Sequence, residues 1–155
     1  MTVEVGKAAP DFTLENQDGE KVTLSDLQGQ NIVLYFYPRD MTPGCTTQAC
    51  NFRDNYEQFK GTDTVILGIS PDPIERHQKF INKHDLPFPL LADTENEVAK
   101  LYGVWKLKKM FGKEFHGIER STFIIDKAGI VQKEYRKVKV KNHIEETLAD
   151  VKALA

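Results

Sequence analysis

Two cysteines, Cys45 and Cys50, are the only thiols in this 155-residue chain. They sit in the stretch Pro38-Arg39-Asp40-Met41-Thr42-Pro43-Gly44-Cys45-Thr46-Thr47-Gln48-Ala49-Cys50. A thiolate is a strong nucleophile, and once oxidised it condenses readily with a neighbouring thiol. Cys-x4-Cys is not the Cys-x-x-Cys of a dithiol redox motif. No second Cys or His pair completes four zinc ligands, so no metal and no cofactor is expected. A small inert cysteine packing a helix end is the bland alternative. The second thiol at close spacing argues against it and for redox chemistry of sulfur.

The local pattern says how the sulfur would be held. Asn31 to Tyr37 is a continuous β-branched and aromatic run, as expected of a central strand covered on both faces. Pro38 to Gly44 reads as loop. From Cys45 the period changes: Cys45, Ala49, Phe52, Tyr56 and Phe59 recur at helical spacing, and Gly61 ends the segment. Cys45 therefore falls at the start of a helix beyond the carboxyl end of a strand, the usual site of α/β chemistry. Free N–H groups and the positive end of the helix dipole stabilise a thiolate there. Thr42 can aim a hydroxyl at a polar substrate, while Pro38 and Pro43 stiffen the loop and Pro38 shields the sulfur from water.

Further along, Phe12 to Leu24 reads as a hairpin around Asp18-Gly19, and Ser25 can cap a brief helical turn that ends near Gly29. Thr64 to Ile69 is a second buried strand. Asp72-Pro73-Ile74-Glu75 resembles a capped helix start, and Ile74, Phe80 and Ile81 form its apolar stripe. Phe88 to Leu91 is a short strand, Thr94 to Leu101 a short helix, and Ser121 to Tyr135 a hairpin about Lys127-Ala128-Gly129. Asn142 caps a last helix carrying Ile144, Leu148 and Val151 on one face. Alternating strands and helices predict one α/β domain over 1–155, a mixed central sheet flanked by helices with an N-terminal β-hairpin.

Composition excludes other classes. With 40% hydrophobic and 28% charged residues the chain is neither disordered nor membrane-spanning, and its longest apolar run is far short of the ~20 residues a membrane helix needs. The net charge of −2 suggests neither a nucleic-acid nor a membrane partner. Met-Thr-Val-Glu-Val-Gly-Lys shows no apolar export signal, so the cytoplasm is the expected compartment.

Pro38, Thr42 and Cys45 match the Pro-x-x-x-Thr/Ser-x-x-Cys motif of the peroxiredoxins. The wider wording from Tyr35 to Cys50 resembles the branch known as bacterioferritin comigratory protein or peroxiredoxin Q. Ala9-Pro10-Asp11-Phe12, Gly68-Ile69-Ser70 and Glu119-Arg120-Ser121-Thr122-Phe123 extend the likeness along nearly the whole chain. The resemblance implies a thioredoxin-like fold and reduction of hydrogen peroxide and organic hydroperoxides. It implies Cys45 as the peroxidatic cysteine, Cys50 as the resolving one, Thr42 and Arg120 as peroxide-binding residues and Pro38 as a pocket wall. Gln48 falls where relatives carry Glu or Gln. Recycling by thioredoxin or a similar dithiol is implied too, and an intrachain disulfide removes the need for a second subunit, so a monomer is expected. A thiol–disulfide oxidoreductase acting on proteins and a redox-switched binding module are the competing classes; peroxide consumption distinguishes them.

Helix geometry adds a constraint. Five residues along an α-helix give about 7.5 Å of rise and leave the two Cα atoms roughly 8–9 Å apart. A disulfide needs about 4.4–6.8 Å. A Cys45–Cys50 bond therefore requires the first turns of the helix to unwind. Elsewhere the expectations are plain: Arg39 and Asp40 as solvated loop, His77 and His84 as half-buried or surface residues, His116 and His143 as equally bland. Trp105 to Phe111, which mixes bases with aromatics, reads as irregular cover over the core.

Overall fold

The computed structural model describes residues 3–154. Its centre is β3 (Asn31–Phe36), in which every residue is buried. Such a strand shows no hydrophobic alternation because both faces are covered. β4 (Thr64–Ser70) runs parallel to it, with Ile32 beside Val65 and Phe36 beside Ile69, and β5 (Leu90–Ala92) runs parallel to β4. On the other flank β8 (Ser121–Ile125) is antiparallel to β3, and β9 (Val131–Tyr135) is antiparallel to β8. The N-terminal hairpin, β1 (Thr13–Glu15) and β2 (Lys21–Thr23), joins the edge through Glu15 opposite Ala92. The resulting mixed sheet has the order β2-β1-β5-β4-β3-β8-β9.

Alternation along β3 sorts the core into two layers. Ile32, Leu34 and Phe36 face one side, with Phe123 and with Val98, Ala99 and nearby Tyr102 of α4 (Glu97–Leu101) and its end. Val33, Tyr35 and Tyr37 face the other, which is covered by α1 (Pro43–Asp54), α2 (Tyr56–Lys60), α3 (Ile74–His84) and α5 (His143–Lys152). Cys45, Ala49 and Phe52 of α1 pack in this second layer, so one strand both carries the cysteine loop and floors the helix that follows.

Three local expectations are corrected. The long helix of residues 45–61 starts two residues earlier, at Pro43, whose missing N–H costs nothing in a first turn, and it breaks at Asn55 (φ −111°, ψ 10°) into α1 and α2. Asp72 does not cap α3; its carboxylate is engaged elsewhere. Trp105 to Phe111 is not irregular: β6 (Trp105–Met110) pairs with β7 (Lys113–Ile118) as a separate two-stranded ribbon. Phe111 (φ 53°) and Gly112 (φ 77°) form its two-residue turn, and Trp105 stacks on His116 at 5.9 Å. Beyond its base, where Ile118 is buried and Trp105 packs against the core, the ribbon has no buried face, which is why no apolar alternation betrays it in the sequence.

Candidate active site

Thr42 is the N-cap of α1 by backbone conformation (φ −83°, ψ 155°), and its carbonyl takes the first helical hydrogen bond from Thr46 N at 2.8 Å. Its hydroxyl does not cap the helix but donates to the Arg39 carbonyl at 2.9 Å, so toward any further group its oxygen can only accept. No side chain caps the N–H groups of Gly44 and Cys45. Cys45 is 2% exposed in the first turn, while Cys50, on the next turn, is half-buried. Both thiols are free and ride on one intact helix. Pro38 is half-buried in the loop that leads from β3 to α1.

Arg120 arrives from the turn between β7 and β8. Its Nη2 donates to Cys45 Sγ at 3.2 Å and its Nη1 to Gln48 Oε1 at 2.5 Å. A guanidinium only donates, so the Gln48 atom facing it must be the oxygen, and Gln48 Nε2 points away, buried and without a protein acceptor. The approach depends on Gly44: a Cβ there would lie 3.3 Å from Nη2. The strand register brings Arg120 here, because Ser121 pairs with Phe36 at the very end of β3. Lys108 of the ribbon lies beyond. Its ammonium donates to the Ile118 carbonyl, and burial, with the nearby Arg120 charge adding, lowers its pKa.

The expected solvated loop is a correction of substance. Arg39 is exposed, but Asp40 is completely buried. Its carboxylate accepts from Tyr37 Oη at 2.5 Å and lies 2.5 Å from His77 Nδ1, its amide donates to Asp72 at 2.7 Å, and its carbonyl accepts from Arg76 at 3.0 Å. Asp72 also accepts from Ser70 Oγ and pairs with Arg76 at 3.2 Å. His77 is therefore no surface histidine; it is fully buried. Its Nε2 faces the Leu91 carbonyl at 3.1 Å and must carry a hydrogen, so a second proton has to lie on the line between Nδ1 and Asp40. This network clamps the loop two residues before Thr42. Burial, with the Asp40 carboxylate close by, drives the Tyr35 and Tyr37 hydroxyls upward in pKa, which keeps both neutral.

His143 is also less bland than expected. It is 3% exposed at the first turn of α5, bonded through Nε2 to Thr122 at 2.9 Å and packed edge-on against Tyr135 and Phe52. His84 and His116 remain at the half-buried and exposed positions expected of them.

A mixed sheet with a cysteine at the head of the helix after its central strand, faced by an arginine from the antiparallel flank, defines a class. The model of the AhpC/TSA family matches residues 5–134, and the chain belongs to that family. Within it the chain is a peroxiredoxin of the bacterioferritin comigratory protein branch, and hence a thiol peroxidase. It is 59% identical to peroxiredoxin Bcp of Bacillus subtilis over 155 residues, spanning 100% of this chain and 99% of that one. Peroxiredoxin Bcp of Escherichia coli is 44% identical over 91% of this chain and 90% of its own. Among solved structures, a cysteine-to-serine mutant of PrxQ from Xylella fastidiosa superposes with a TM-score of 0.94 at 35% identity, covering 99% and 98% of the two chains. Trapped intermediate and ligand complexes of the Xanthomonas campestris bacterioferritin comigratory protein, described for alkyl peroxide reduction, give 0.89 at 38% identity over 92% and 91%.

Proposed function

We propose that this chain, as one domain, reduces hydroperoxides through Cys45 and is recycled through a Cys45–Cys50 disulfide. The observation that carries the reading is the guanidinium of Arg120 at 3.2 Å from Cys45 Sγ, over uncapped N–H groups of a helix first turn. A fixed positive group and aligned dipoles stabilise negative sulfur before attack, and then the negative charge that develops on the departing oxygen. The thiolate attacks the distal peroxide oxygen; the O–O bond breaks, sulfur becomes a sulfenic acid, and the alkoxide or hydroxide leaves as alcohol or water after taking a proton. Thr42 and Arg120 hold the peroxide, Gln48 braces Arg120, and Pro38 limits water.

Cys50 then attacks the sulfenic sulfur, releasing water and forming the disulfide. Because the intact helix keeps the two Cα atoms about 8–9 Å apart, α1 must unwind locally for this step. A thioredoxin or similar dithiol restores both thiols by exchange. The Xanthomonas relative's alkyl peroxide activity supports organic hydroperoxides as substrates beside hydrogen peroxide. An intrachain resolving thiol needs no partner subunit, which supports a monomer, and dependence on reducing dithiols supports the cytoplasm as its compartment.

The deciding experiment is peroxide consumption by purified protein coupled to a thioredoxin system, run with hydrogen peroxide and with organic hydroperoxides. Turnover far above that of free cysteine, abolished in Cys45→Ser, is the expected result. Consumption no faster than free cysteine overturns the reading.

A further inference from the structure

The net charge of −2 conceals a strong segregation. Eleven of the 21 Lys and Arg residues but only four of the 23 Asp and Glu residues lie between Trp105 and Asn142, so that stretch carries +7 and the remainder −9. Part of this charge gathers beside the active site. A groove of about 500 Å³ is lined by Lys106, Lys108, Phe115, Arg120 and Lys137, with Glu119 the acid at its wall. Lys137 and Val138 continue into a second hollow with Arg136, Lys139 and Lys141, and Val138 N holds the Arg120 carbonyl at 2.9 Å.

The ribbon that forms one bank of the groove is apolar toward its tip. Leu107, Met110, Phe111 and Phe115 are 55%, 56%, 97% and 41% exposed. The register puts Leu107 on one face and Met110 and Phe115 on the other, since Leu107 lies opposite His116 and Lys108 opposite Phe115. Apolar side chains exposed on both faces and at the turn suit entry into an apolar medium better than one-sided packing against a protein. Phe111 is the telling residue. It sits at φ 53° in a turn whose two positive-φ positions favour Asn-Gly, and a bulky side chain there is strained. At 97% exposure it makes no contact that offsets this. Lys109 and Lys113 flank the turn, Lys109 paired with Glu114 at 3.4 Å, and Lys106 lies further down the ribbon; their long stems let the ammonium groups stay in the headgroup layer while carbons lie deeper.

We propose that the β6–β7 ribbon docks on an anionic lipid bilayer, inserting Phe111 and Met110 below the headgroups while the lysines contact phosphate. Binding of this kind needs no crossing helix, and among the described residues no helix is long and apolar enough to cross. Docking in this way turns the groove that ends at Arg120 toward the lipid surface.

The test uses the full chain and vesicles of mixed phosphatidylglycerol and phosphatidylcholine, against vesicles of phosphatidylcholine alone. Sedimentation with the vesicles is read without peroxide, so its outcome is separate from that of the catalytic reading. The wild-type protein should bind the anionic vesicles only, with a bound fraction that falls as salt is raised. Phe111→Asn, which relieves the strained turn, should weaken binding about 10-fold or more while its unfolding midpoint stays the same or rises. Failure to bind anionic vesicles at low ionic strength overturns the proposal and leaves the groove to an acidic protein. Binding that Phe111→Asn does not weaken overturns it as well, since that is adsorption by charge without insertion.

Discussion

Asp40 and His77, 37 residues apart, meet at 2.5 Å with neither side chain exposed to solvent. The pair joins the loop between β3 and α1 to α3, and the hydrogen count fixes one shared proton between them. An asparagine in place of Asp40 would donate from its amide to a neutral Nδ1 and still accept from Tyr37, so Asp40→Asn should cost about 1 kcal/mol or less. His77→Leu leaves the Asp40 oxygen buried without its partner and should cost roughly 3–5 kcal/mol. Chemical denaturation of the two variants checks the contrast; equal costs would show that the proton count is wrong.

Arg120 offers two donors in a fixed fork, one to Cys45 and one to Gln48. Lysine keeps the charge but cannot span both. Arg120→Lys should slow the first oxidation of Cys45 by about 100-fold or more, measured by rapid mixing with peroxide. Gly44→Ala pushes a methyl to 3.3 Å from Nη2 and should slow the same step less, by about 10-fold, since the guanidinium can yield a few tenths of an ångström. A wild-type rate in Arg120→Lys would remove the fork from the mechanism.

The two thiols predict opposite defects. Cys50→Ser should retain one rapid oxidation per chain, lose thioredoxin-supported cycling and overoxidise more readily. In the wild-type protein, oxidation should strip hydrogen-exchange protection from about residues 42 to 52 while β3 and β4 stay protected. Unchanged exchange across α1 in a protein with a confirmed Cys45–Cys50 bond would falsify the unwinding step.

His143 gives the pH dependence. Burial, with the Arg120 charge adding, pulls its pKa from the ordinary 6.5 to about 4, and its place at the start of α5 opposes a proton too. Between those values the unfolded chain binds more protons than the folded one. Stability contributed by neutral His143 is thus complete above about pH 7 and drains away as the pH falls from about 6.5 to about 4, by up to about 3 kcal/mol. Denaturation across that range should show a steeper slope for the wild type than for His143→Gln. Parallel slopes would assign the acid sensitivity to other groups.

Much of the reacting centre is legible without any fold, because Cys45 lies where a buried strand run gives way to helical spacing. Arg120 is accessible only through the motif it shares with a family; its own surroundings in sequence say nothing of a partner 75 residues back. Asp40 misleads since polarity in a loop ordinarily means solvent, and the groups that satisfy it are Tyr37 nearby and Asp72, Arg76 and His77, more than 30 residues on, from the start of α3 and the loop before it. A usable signal does exist: His77 sits three residues from Ile74 and three from Phe80, on the buried stripe of its helix. The β6–β7 ribbon escapes for the opposite reason, being buried only at its base, by Ile118 and Trp105, which is too little to imprint a period.

The pairing of Ser121 with Phe36 bears on the life of the chain before it is complete. During synthesis Cys45 leaves the ribosome some 75 residues ahead of Arg120, and β3 has no β8 to receive. Until that antiparallel neighbour closes, the sulfur lacks its guanidinium and reacts as an ordinary thiol. On the proposed mechanism, peroxide sensitivity is therefore acquired at the end of folding, which spares a nascent chain from early oxidation at Cys45.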